Sequence, residues 1–154
     1  MGIFSFLNKP KEFFSAAEKE QIVKAIQLAE KETSGEIRIY IESKNPMVNV
    51  LDRASEIFFK LEMQNTLHHN AVLLYIAMDD KELALFGDEG IYKVVGEAYW
   101  NDAVKNMLSH FSAKNISAGI AECVGQIGQT LKEKFPFDRS IDTNELSNDI
   151  VFGK

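Results

Sequence analysis

A single cysteine, Cys123, is all the thiol this chain carries, so no internal disulfide can brace the fold. Its neighbours Ala121 and Val124 suggest a buried, unreactive group. Basic residues are also in short supply: 17 Lys and Arg stand against 23 Asp and Glu, a net charge of −6. That balance argues against nucleic acid as a partner, because a phosphate backbone requires a basic face. No apolar run approaches the roughly 20 residues of a membrane span. The three histidines include only one close pair, His68-His69, and adjacent residues of an extended chain point in opposite directions, so zinc and copper are poor candidates. A nucleophile elbow, P-loop, dinucleotide fingerprint and metalloprotease helix are all missing.

What is present is ordinary globular material. Hydrophobic content is 45% and charged content 26% over 154 residues, enough for one self-sufficient core. The first residues, MGIFSFLNKPKEFF, lack the apolar core of a secretory signal and have Phe6 where a myristoylation motif needs Ser or Thr. We therefore expect a cytoplasmic chain with an apolar arm at residues 1–12, one α/β domain at 13–136 and an extension at 137–154.

Periodicity supplies the elements. Ser15-Ala-Ala-Glu18 is a capping box, opening a helix with Ile22, Val23, Ile26 and Ala29 inward that Gly35 stops. Glu36–Glu42, EIRIYIE, alternates strictly and reads as a half-buried strand near a sheet edge. Asn49 caps a second helix whose stripe is Leu51, Ala54, Phe58 and Leu61. Ala71 to Met78 is a core strand, and Leu83 to Phe86 is its hairpin partner across the turn Asp79-Asp80-Lys81-Glu82. A helical pattern then runs from Ile91 through Trp100 to Leu108, and a last helix covers about Ile116 to Lys134. Gly119, Gly125 and Gly128 inside that helix suggest close approach to a neighbour. A helical crossover between the first two strands favours a parallel pair. The expectation is a three-layer α-β-α sandwich: a mixed, mostly parallel sheet with one β-hairpin and helices on both faces.

The chemistry sits at strand ends. Asp79 and Asp80 close one strand, Asp88 and Glu89 the next. Neighbouring carboxylates raise each other's pKa unless a cation or solvent separates them, and hard cations take such oxygen sets. The plainer reading of the same residues is a solvated hairpin turn with Asp88 as a helix N-cap.

Several segments together resemble the TPM domain family: Phe14-Ser15, Thr33-Ser34-Gly35-Glu36, Leu51-Asp52-Arg53-Ala54, the strand from Asn70 to Lys81, Phe86-Gly-Asp-Glu-Gly-Ile91, and Phe111-Ser to Gly119-Ile120. The resemblance covers about Phe13 to Phe135. It implies an α/β sandwich and a divalent-cation site, calcium first with magnesium or manganese as alternatives. Carried onto this chain, the implied ligands are Asp79, Asp80 and Asp88, then Glu89 and Glu36. Some members have acid phosphatase activity attributed to them, so a metal-dependent phosphatase is the alternative, and a protein-interaction module, with its partner unspecified, the second. This chain departs from the family pattern at Ala71, where Gly is favoured, and at Asp88-Glu89, where Tyr-Gly is usual. It also lacks the signal peptide and membrane tail of many members.

Overall fold

The structure, a computed structural model, describes residues 13–112, 115–137 and 149–153. The arm at 1–12 and most of the extension lie outside them. Helix α1 (Ala16–Glu30) begins as the sequence reading expects, with the Ser15 hydroxyl accepting from the Glu18 N–H and the Glu18 carboxylate accepting from the Ser15 N–H. It ends at Glu30, short of Gly35. Gly35 serves packing instead: a Cβ there would lie 2.7 Å from the Leu131 side chain.

Strand β1 (Glu36–Glu42) pairs in parallel with β2 (Ala71–Ala77), from Glu36 opposite Ala71 to Glu42 opposite Ala77. Helix α2 (Val50–Lys60) crosses between them, with Asn49 Oδ1 accepting from the Leu51 and Asp52 amides. Strand β3 (Glu82–Gly87) returns antiparallel beside β2. Helices α3 (Glu89–Val95), α4 (Glu97–Ser112) and α5 (Ile116–Lys134) follow, and β4 (Val151–Phe152) closes the sheet in the order β3-β2-β1-β4. Helices on both faces complete the expected sandwich. No helix of the described residues is long and apolar enough to cross a membrane.

Three expectations change. The strand β1 is not near an edge, because Tyr40 and Ile41 pair with Val151 and Phe152 from the end of the chain. Its polar face is covered as well, and Glu36 and Glu42 are both buried. The helical run after Gly90 breaks into α3 and α4 at Gly96, whose φ of 80° a side chain would strain. In α2 the inward face carries Ile57 with Ala54 and Phe58, while Leu51 is half exposed.

The sheet separates two cores. Ile37, Ile39 and Ile41 of β1 meet Ile22, Ile26, Ile120, Val124 and Ile127 on the side of α1 and α5. Tyr40, Leu73 and Tyr75 meet Ala54, Ile57 and Phe58 on the α2 side. The close approach expected of the α5 glycines holds at Gly128, where a Cβ would lie 2.5 Å from Ala29, and at Gly119, against His110; Gly125 faces open space.

Candidate functional site

The register fixes where the acids go. In an antiparallel hairpin the turn and the free ends lie at opposite rims, and β3 keeps Glu82 opposite Ala77 and Gly87 opposite Val72. Five residue steps, roughly 17 Å, therefore separate the two acidic segments. Asp79 and Asp80 stand at the carboxyl ends of β1 and β2, while Asp88, Glu89 and Glu36 stand at the amino ends. The common focus implied for the five carboxylates does not form, and the described residues contain no group of three or more His, Cys, Asp or Glu placed to hold one metal ion.

At the amino ends, Asp88 is the N-cap of α3. Its Oδ1 accepts from the Glu89 N–H at 2.8 Å and its Oδ2 lies 3.1 Å from His69 Nδ1, which occupies both oxygens. Glu89 points to solvent. Glu36 is buried beside Glu30, whose Oε2 accepts the Ile37 N–H at 2.6 Å. Burial, then the neighbouring Glu36 carboxylate, push the Glu30 carboxyl up to about 8. Asn70, fully buried, donates to Ser34 Oγ at 3.1 Å and leaves its Oδ1 without a hydrogen-bond partner. Thr33 Oγ1 faces the carbonyls of Leu131 and Phe135 and accepts from the Gly35 N–H, tying this rim to the end of α5.

The carboxyl ends are more open. The Met78 and Asp79 amides donate to the Glu42 and Ser43 carbonyls at 2.8 Å, extending the parallel pair by two residues. Lys81, with φ of 53°, makes the turn. Asp80 Oδ2 accepts the Asn45 N–H at 2.7 Å, and the Asn45 side-chain amide donates to Glu82 Oε1 at 3.3 Å. One asparagine of the β1–α2 loop thus gathers two carboxylates of the hairpin turn, with Asp79 and Asp80 exposed to solvent.

Just beneath lies a buried network that strand alternation alone does not reveal. Arg53 of α2 donates through Nε and Nη2 to the two oxygens of Glu42, at 2.8 and 2.9 Å, and through Nη1 to Glu56. The Tyr75 hydroxyl donates to Glu42 as well. Burial, then the hydrogen bond to Glu42, raise the Tyr75 pKa, and the Glu42 carboxylate holds Arg53 firmly protonated. The only hint in the sequence is a Glu ending a strand and an Arg four residues after a helix N-cap.

A third feature was not anticipated. A groove of about 390 Å³ runs along the outer edge of β3, walled by Leu51 of α2 on one side and Trp100, Val104 and Leu108 of α4 on the other.

Comparison with known proteins gives the family and the fold. A model of the TPM domain matches residues 7–130. The NMR structure of the BA42 protein from the psychrophilic bacterium Bizionia argentinensis is similar at 38% identity and a TM-score of 0.85, covering 94% of this chain and 99% of that one. The N-terminal domain of the cg2496 protein from Corynebacterium glutamicum (11% identity, TM-score 0.61, 80% of this chain and 84% of that one) shares the fold alone. The same holds for the N-terminal domain of a P. gingivalis protein (16%, 0.65, 79% and 78%). No curated protein matches the chain.

Proposed function

Since this chain belongs to the TPM domain family, we propose that it binds a divalent cation, calcium foremost, at the carboxyl ends of β1 and β2. The observation that carries this reading is the pair of hydrogen bonds from Asn45 to Asp80 and Glu82, which brings hairpin carboxylates against the neighbouring loop. Asp79 and Asp80 supply side-chain oxygens that face water, so a hydrated ion can approach without crossing protein. The rim lies outside the carboxyl ends of a parallel pair, where open α/β sheets place ligands. An ion of the calcium class takes six to eight oxygens and tolerates irregular geometry. It suits a site in which solvent completes the shell, and magnesium and manganese are the alternatives.

The ion's role in this reading is structural: it draws together two acidic segments that otherwise repel. The buried Glu42–Arg53 pair beneath already has its charge balanced and takes no part in coordination. A cytoplasmic setting belongs to the same proposal, supported by the single cysteine, a thiol that burial pushes up to about 12. Calcium titration of the 15N-labelled protein tests the reading. Saturable amide shifts centred on Asn45 and residues 79–82 are expected; shifts confined to the Asp88 rim, or none at millimolar calcium, would sink it.

A further inference from the structure

The open edge of β3 has the chemistry of a strand site. Asp88 donates its N–H to the Ala71 carbonyl, and antiparallel alternation then points the main-chain groups of Glu82, Ala84, Phe86 and Asp88 toward β2. Those of Leu83, Leu85 and Gly87 point outward, into the groove. The walls are apolar and under-covered: Leu51 is 50% exposed and Leu108 40%. Walls from both helical layers flank the edge, so a single strand fits between them, flanked on both faces as a central strand is. Uncovered edges of this kind invite pairing.

We infer that the groove is filled by this chain's own N-terminal arm, with residues 3–7 adding as a fifth strand beside β3. The segment Ile3-Phe4-Ser5-Phe6-Leu7 is uncharged, free of proline and apolar on both faces, as a strand enclosed on both sides needs to be. It is also five residues long, the length of the groove-lining stretch 83–87. The other undescribed stretches are Ala-Lys at 113–114, a charged and polar run at 138–148 and Lys154, none of which suits an apolar slot.

Reach permits the pairing. The start of α1 touches the start of α5 through Ser117 Oγ and Glu18 Oε2, 3.0 Å apart. The start of α5 in turn lies against the end of α4, where Gly119 meets His110. Two helix spacings of 8–10 Å, about 20 Å, thus separate Phe14 from the groove wall at Leu108. Seven extended residues from Leu7 to Phe14 span roughly 23–25 Å.

Amide hydrogen exchange on the full chain tests the inference. The outward amides of Leu83, Leu85 and Gly87 are expected to be protected, and to lose that protection in Phe4→Asp/Phe6→Asp. The inward amides of Ala84 and Phe86 stay protected and report that the fold is intact. In a chain lacking residues 1–9, a synthetic peptide of those residues should restore protection at the same three positions. Outward amides that exchange freely in the full chain, or equally in the variant, overturn the inference. Protection that grows with protein concentration gives the edge to a second copy and overturns it too.

Discussion

Arg53 reaches from the first turn of α2 to the end of β1 and holds both carboxylate oxygens of Glu42, at 2.8 and 2.9 Å. Its side chain is 13% exposed and that of Glu42 5%. The pair pins the crossover helix to the strand it follows, directly beneath the proposed cation rim. Removing one partner strands a buried charge, which costs about 3–5 kcal/mol in comparable pairs. Arg53→Met should lower unfolding free energy by that order in urea titrations, and Glu42→Gln/Arg53→Met should recover part of the loss. A single variant as stable as the parent would show that the pair carries no weight.

Stability should fall with rising pH because of Glu30. Its folded-state pKa is raised to about 8 from 4.5, so the folded state binds the extra proton between those values. Unfolding free energy then declines as pH rises from about 4.5 to 8, by an amount on the order of a few kcal/mol. Glu30→Gln keeps an oxygen for the Ile37 N–H and cannot ionise. Its melting temperature should vary less than the parent's over this range, and should be the higher of the two at pH 8. Parallel curves for both proteins would refute the assignment.

Three glycines should respond in different ways to alanine. Gly125 lies inside α5 with open space around it, so Gly125→Ala should gain up to about 1 kcal/mol of helix propensity. Gly128→Ala drives a methyl to within 2.5 Å of Ala29 Cβ and 2.9 Å of its Cα, and the two helices must part. Gly96→Ala meets no neighbour but forces alanine to φ 80°, ψ 164°, a cost of about 1–3 kcal/mol. Thermal melts that rank the three otherwise would contradict this packing.

The two acidic rims should separate by mutation. Asp80→Asn should weaken calcium-dependent amide shifts at least severalfold with little change in stability. Asp88→Ala removes an N-cap, costing about 1 kcal/mol, and should leave those shifts in place. If Asp88→Ala abolishes the calcium response instead, ligation belongs to the amino ends.

Local chemistry was the readable part. The capping box at Ser15, the Asn49 cap and the strand at Glu36–Glu42 depend on residues within a few positions of one another, and each forms where the pattern placed it. The hairpin was equally legible, because its register follows from a short turn between two apolar runs. The break at Gly96 was not: Ile91, Tyr99 and Val104 keep a helical spacing across a residue whose backbone leaves the helix. Glu36 looked like a solvent-facing strand residue because the alternation that exposed it assumed an edge; the covering strand comes more than a hundred residues later.

The chain's own order of residues determined the elements, their sequence along the backbone and the side of the hairpin on which each acid falls. Only the folded arrangement decided which acids became neighbours: Glu30 with Glu36, Asp80 with Glu82 through Asn45, and Glu42 with Arg53. It also left one edge of the sheet open between two helices. The physical reason is separation in sequence. Helix caps and turns are settled by hydrogen bonds between near neighbours, whereas burial and shared charge depend on segments that meet only when the sheet assembles.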